Sequence, residues 1–394
     1  MPYMFKINKM NVKDLIQSAE ENSTPFYYYD MELLGNTLDK LKDASGKYKY
    51  NVHYALKANT NGRVLDLISS YGFGADCVSG NEIGKAVAHG FCPYQIAFAG
   101  VGKTDREIEV GLENDIFCFN CESMQEIEVI NEIATREKKI ADIALRVNPN
   151  VDANTHKYIT TGRTENKFGI LVTEMAAVVK LIESCKNVNL IGLHFHIGSQ
   201  VTDLIAYRDL CLRVNEIQNW FDKQNIELRH INVGGGLGID YDNPDDNPVA
   251  DFESFFSIFH TYLKLRNGQE LHFELGRSIV GVIGNLISKV LYIKEGASKS
   301  FAILDAGMTE LIRPALYNSK HKIENLSKHA KSSNSFYDVV GPICESSDCF
   351  GVEINLPTTT RGDIIAIRCA GAYGEVMASN YNLREKPLAV YSGN

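Results

Sequence analysis

Between about residues 50 and 275, short runs rich in β-branched and aromatic residues alternate with stretches whose apolar residues recur at helical spacing. The strand-like runs fall at about 53–57, 74–78, 95–99, 116–120, 143–148, 190–197, 230–233 and 271–275. Parallel strands need a crossover of a dozen or more residues, and the intervening helical stretches supply it. Eight such units in succession predict an α/β fold built on a closed TIM (β/α)8 barrel. Helix starts are marked by Thr104-x-x-Glu107 and Ser123-x-x-Glu126, where a hydroxyl caps the first turn and a carboxylate reaches back.

Beyond Ile283 the pattern changes to short strand-like runs, at 288–293, 301–305 and 363–368, split by Gly, Asn and Pro. The 394 residues exceed one barrel of about 250, so this second pattern reads as a separate, mainly-β domain. The strand-like run Pro25-Phe26-Tyr27-Tyr28-Tyr29-Asp30 is expected to join it from the other end of the chain. The expected division is a barrel over 30–278 and a β-sandwich or β-barrel domain made of 1–29 plus 279–394. The Ser/Lys/Asn-rich stretch 327–335 reads as flexible.

A net charge of -9 argues against nucleic acid as a partner, because that affinity rests on clustered Lys and Arg. No run of about 18 apolar residues is present, and residues 1–20, with Lys6, Lys9 and Lys13, lack the apolar block of a secretory leader. The expectation is a cytoplasmic protein acting on a small molecule, with no membrane partner. Nine cysteines without a framework spacing read as reduced thiols. Cys118-Phe119-Asn120-Cys121 matches CxxC, but a strand there turns the two sulfurs to opposite faces, which disfavours a metal or redox pair.

In a TIM barrel, chemistry sits at the C-terminal ends of the strands. There the chain places Lys57, Arg146, His196 with Ser199, Gly234-Gly235-Gly236, and Glu274-Leu275-Gly276-Arg277. A lone strand-end lysine ordinarily snorkels to water, a lone glutamate pairs in a salt bridge, and a glycine triplet turns the chain. Together they fit pyridoxal 5′-phosphate: Lys57 to hold its aldehyde as a Schiff base, main-chain N–H groups of the glycine loop to approach its phosphate, and Glu274 to favour a protonated pyridine nitrogen. His194 and His196 share one strand face. Without a third ligand nearby they are not expected to hold a metal, and none is expected elsewhere. His196 is placed to pack against a planar cofactor, with His194 a core histidine one layer below.

From about Pro25 to Leu383 these residues, in this order, resemble the alanine-racemase-like, fold-type III pyridoxal-phosphate decarboxylases. The first half alone also fits ornithine, arginine and carboxynorspermidine decarboxylases. Arg313-Pro314-Ala315-Leu316-Tyr317, Gly341-Pro342-Ile343-Cys344-Glu345-Ser346-Ser347-Asp348, Gly371-Ala372-Tyr373-Gly374 and His194-Phe195-His196-Ile197-Gly198-Ser199-Gln200 resemble motifs of the diaminopimelate decarboxylases. The resemblance implies decarboxylation of meso-2,6-diaminopimelate to L-lysine and CO2. It assigns Lys57 and Cys344 as catalytic residues, Cys344 being the proton donor. It assigns Arg146, His196, Ser199, Gly234, Gly235, Gly236, Glu274, Gly276, Arg277 and Tyr373 to the cofactor, and Arg277, Arg313, Tyr317, Glu345 and Tyr373 to the substrate. It further implies a homodimer in which the Cys344-Glu345 segment serves the partner's site. One departure is visible: Leu275 stands where the family has proline, which loosens a backbone constraint and leaves the charged residues in place. Alternatives are a related decarboxylase, a racemase, for which no second base is recognisable, and a non-catalytic carrier of the cofactor.

Overall fold

The computed structural model describes residues 12–151, 167–328 and 333–393. Lys6 and Lys9, and much of the stretch read as flexible, lie outside the described residues. Of that stretch, Ser327 Oγ accepts from Ile364 N at 2.9 Å, and Asn334 and Ser335 belong to a strand.

The chain divides into two units, one of residues 38–238 and 251–276, the other of residues 12–37, 239–250 and 277–393 among those described. In chain order, the first strand, β1 (Phe26–Tyr29), belongs to the second unit. The next eight form the first unit: β2 (Asn51–Ala55), β3 (Gly74–Cys77), β4 (Ile96–Phe98), β5 (Cys118–Cys121), β6 (Ala141–Arg146), β7 (Val188–His194), β8 (His230–Asn232) and β9 (Glu270–Leu275). They are parallel, pair in sequence order, and close through β2 on β9. The alternation in the sequence thus becomes the expected barrel. Its strands are displaced by a few residues from the expected runs. β2 ends at Ala55, so Lys57 lies not on the strand but in the 3-10 turn Leu56–Ala58 just beyond it.

Pairing register fixes the faces, because paired residues of parallel strands point the same way. Ala55 pairs Asp76, Asp76 pairs Ala97, Asn120 pairs Ala144, Arg146 pairs His194, His194 pairs Asn232, Asn232 pairs His272, and Glu274 pairs His53. One face of the barrel sheet therefore carries the polar, hydrogen-bonded side chains among small alanines, and it is the interior. The apolar packing lies on the other face, between strands and helices. Phe273 of β9 packs against Phe255, Phe256 and Phe259 of helix Phe252–Tyr262, with ring centroids 4.8–5.5 Å apart. The helix starts behave as expected at Thr104, which forms a full capping box with Glu107. At Ser123 the hydroxyl caps Glu126 N, but the Glu126 carboxylate accepts from Glu122 N and pairs Lys103 instead.

The second unit is a β sheet of eight strands among the described residues. Besides β1 these are β10 (Gly284–Glu295), β11 (Ser300–Leu304), β12 (Ile323–Asn325), β13 (Asn334–Val340), β14 (Cys349–Pro357), β15 (Ile364–Ile367) and β16 (Leu388–Tyr391). β1 pairs β10 antiparallel and β16 parallel, so the tyrosine-rich run joins the β domain as expected. Phe26 and Tyr28 then pack with Leu15, Ile287, Leu326 and Ile364. Buried Arg368 bonds Asp245 at 2.7 Å and Glu324 at 2.6 Å, tying the 239–250 segment to this sheet. Among the described residues no helix is long and apolar enough to cross a membrane.

Candidate active site

At the C-terminal end of the barrel the Lys57 ammonium donates to Asp76 Oδ2 at 2.8 Å. Asp76 is fully buried, its Oδ1 has no hydrogen-bond partner, and burial, then Glu274, push its carboxyl up to about 6 in spite of Lys57. Glu274 is also buried, and burial alone would raise its pKa. His194, whose Nε2 lies 3.0 Å from Oε2, together with Lys57 and His196 outweighs that and holds the carboxyl below the ordinary carboxylate range. Asn232 donates to Glu274 Oε1 at 2.8 Å and Asn120 at 3.2 Å. The result is a carboxylate kept ionised and fixed in direction by three neighbours.

The loop after β8 is shaped by glycine. Gly234 and Gly236 hold left-handed φ of 69° and 97°, and a Cβ on Gly235 would stand 1.8 Å from Glu274 O. Val201 N donates to Gly236 O at 2.8 Å and Gly238 N to Val201 O at 3.0 Å, which joins this loop to the one carrying half-buried Ser199. Gly235 N faces His196 Nδ1 at 3.4 Å. Burial, then Arg146 and Lys57, drive the His196 pKa well down, so its imidazole is neutral. Arg146 itself pairs with buried Glu122 and lies over the Phe168 ring, 4.6 Å from the centroid. Gly276 follows β9, and a Cβ there would lie 2.9 Å from Ala58 Cβ, so the chain passes close against the Lys57 turn.

In the β-rich unit, two buried guanidiniums converge on one phenol. Arg277 and Arg313 both donate to Tyr241 Oη, Arg313 at 2.7 Å. Arg277 also lies over the ring of Tyr373, 4.9 Å from its centroid, and Tyr373 is held at a φ of 57°. Arg313 is 6 % exposed and makes no ion pair among the described residues. His321 packs edge-on against Tyr241, its pKa lowered to about 3 by burial and then by Arg313. Tyr317 is half-buried at the end of helix Arg313–Tyr317, and Cys344 and Glu345 are exposed on the loop between β13 and β14. Glu345 accepts from Tyr381 Oη at 2.8 Å.

The model of the pyridoxal-dependent decarboxylases, pyridoxal binding domain, matches residues 34–281. The chain belongs to this family, in its diaminopimelate decarboxylase branch. It is 57% identical over 365 residues to the diaminopimelate decarboxylase of Bacteroides thetaiotaomicron, covering 92% of this chain and 94% of that one. The crystal structure of the Helicobacter pylori diaminopimelate decarboxylase complexed with L-lysine superposes with a TM-score of 0.89, at 40% identity over 97% of this chain and 94% of the other. That of M. jannaschii diaminopimelate decarboxylase in co-complex with L-lysine gives 0.87, at 34% identity over 96% and 89%.

The barrel end fits the family's cofactor on its own geometry. It has a lysine, an ionised carboxylate with a fixed direction, and a glycine loop whose space any Cβ would fill. No sequence motif marks Asp76, Asn120 or Asn232, and the sequence pattern places His194 in the core. Each is a single polar residue inside a buried strand whose partner comes from a different strand or strand end. The available signal was the alternation Glu270-x-His272-x-Glu274, which puts polar side chains on one face of a strand that is otherwise buried.

Proposed function

We infer that this chain decarboxylates meso-2,6-diaminopimelate to L-lysine and CO2, the last step of lysine biosynthesis, with pyridoxal 5′-phosphate carried on Lys57. The cofactor supplies the electron sink that accepts the electron pair of the breaking Cα–carboxylate bond. Lys57 attaches it and, with Asp76 as counter-ion, is held at the strand end. Glu274, oriented by Asn232, Asn120 and His194, would keep a proton on the cofactor's pyridine nitrogen. The N–H groups of Gly234, Gly235 and Gly236 with Ser199 would hold the phosphate, and Arg146 and Gly276 shape the same end. Neutral His196 offers a flat face without adding a competing charge.

The observation that carries the substrate choice is Arg313. A buried cation without a carboxylate is costly, and a substrate carboxylate that pairs with it relieves that cost. Arg277, Tyr317, Tyr373 and Glu345 complete recognition of the distal amino-acid end, Glu345 accepting from its ammonium. Ornithine-type substrates lack this carboxylate and would leave Arg313 unpaired. Cys344 Sγ delivers the proton to Cα. Its exposure and that of Glu345 support a homodimer in which one copy's loop serves the other's site. The nine free cysteines support a cytoplasmic setting.

The test is product analysis of the cofactor-loaded enzyme given, separately, meso-diaminopimelate, ornithine, arginine and carboxynorspermidine. L-Lysine and CO2 from diaminopimelate alone are expected, and release from another substrate would overturn the reading of Arg313. Arg313→Met should then lower kcat/KM for diaminopimelate by roughly 30-fold or more, the usual cost of removing one side of a buried charge pair. Full turnover by Cys344→Ala would remove Cys344 from its role.

A further inference from the structure

The opposite end of the barrel holds a second cluster that decarboxylation does not use. His230 opens β8, Glu270 and His272 open β9, and His53 lies in β2, so the cluster straddles the β2–β9 seam where the barrel closes. His230 Nδ1 and His272 Nε2 are 3.1 Å apart, and Glu270 Oε2 lies 3.6 Å from each. At 3.6 Å the carboxylate is too distant to hydrogen-bond either ring. Phe117 stacks on His272 with centroids 5.0 Å apart at 19°, and its edge contact to His230 closes one side. His53, Phe117, Glu270 and His272 line an adjoining recess of about 350 Å³.

We propose that His230 Nδ1, His272 Nε2 and Glu270 Oε2 are a binding site for one zinc-class divalent cation, with water from the recess as fourth ligand. Bonds of about 2.0–2.1 Å at the tetrahedral angle set ligand atoms about 3.3 Å apart. The observed 3.1, 3.6 and 3.6 Å bracket that spacing, with the three atoms within 4.8 Å of one another. A chain of hydrogen bonds fixes the ring that matters most. The Gln95 carbonyl, 2.9 Å from His53 Nδ1, can only accept, so the His53 proton sits on Nδ1. His53 Nε2 then accepts from His272 Nδ1 at 2.9 Å, and the His272 lone pair is left on Nε2, toward the cluster. A ligating histidine that donates its other N–H to a fixed acceptor is the usual second-layer arrangement around such metals. The site lies at the end of the barrel that serves stability rather than chemistry, so the cation staples the last strands at the seam.

The experiment uses the cofactor-loaded enzyme, stripped of metal by a chelator and titrated with Co(II) and then Zn(II). One Co(II) per chain is expected, with visible bands of a low-symmetry tetrahedral site that Zn(II) displaces, and a thermal midpoint that rises with Zn(II) concentration. His53→Gln should weaken uptake about 10–100-fold by loosening the His272 ring. The pair His230→Asn and Glu270→Gln, both at the barrel rim, should abolish stoichiometric uptake while leaving the metal-free midpoint and the cofactor absorbance in place. Absence of uptake by the parent chain overturns the site, as does uptake undiminished in the double variant.

Discussion

The two ends of the barrel interior are built on the same strands, yet they are chemically unlike. On β8 and β9, Asn232 and Glu274 face the C-terminal end, while His230 and His272, two residues earlier, face the other. The first end gathers ionisable groups in contact, Lys57 with Asp76 and Glu274 with His194, all but Lys57 buried. The second is a stack of imidazoles around Phe117, and burial drives the His272 pKa well below its ordinary value. Charge burial is expensive and seldom improves stability. The charged end is retained for chemistry, and the outer face, with Phe255, Phe256, Phe259 and Phe273, provides the apolar burial that holds the barrel together.

That contrast breaks if changes at either end have the same consequence. Lys57→Ala should lower kcat by more than roughly 10³-fold, since the covalent route to the electron sink is lost. It should also remove the borohydride-sensitive imine band. Glu274→Gln keeps shape but not charge, so cofactor should still bind while kcat falls on the order of 10²-fold, an effect of fixed electrostatics. At the opposite end, Phe117→Ala should do the reverse. The half-buried ring leaves a cavity that costs about 2 kcal/mol of stability, read by denaturant unfolding, with kcat per folded molecule kept within about twofold. A Phe117→Ala enzyme of full stability and damaged turnover would erase the distinction between the ends.

The barrel was legible because its signal is periodic and repeated. Lys57, the glycine loop and Glu274 were legible because strand ends are where an enzyme of this architecture keeps its reactive groups. Local pattern failed at Lys57 in one respect: a run of apolar and aromatic residues does not mark where β2 gives way to a 3-10 turn, and that turn releases the lysine from the strand's alternation. It failed more fully at Asp76, Asn120, Asn232 and His194. Their partners lie on other strands or strand ends, 19 residues away for Asp76 and Lys57 and 154 for Asn120 and Glu274, and only the assembled barrel brings them together. The same holds for His53, His230 and His272, which no motif connects. Tyr241 carries no sequence signal for another reason: it lies in the 239–250 segment, which follows the barrel strand β8 in sequence but belongs to the β-rich unit.

The smallest expected effect tests whether the charged end costs stability. Asp76 has a folded pKa of about 6 against an ordinary 3.8, with burial as the main cause and Glu274 next. Between those values the native chain binds more protons than the unfolded one, so the contribution is complete below pH 4 and is lost as pH rises through about 6. Asparagine at this position does not titrate. The stability of Asp76→Asn relative to the parent, both without cofactor, should therefore increase between pH 4 and pH 7, by an amount on the order of 1 kcal/mol. Urea unfolding at several pH values across that window measures the difference. Parallel curves would mean that Lys57 fully compensates the buried carboxylate. In that case the Lys57–Asp76 pair would be a neutral piece of scaffolding, and the cost of the catalytic end would rest on Glu274 and His194 alone.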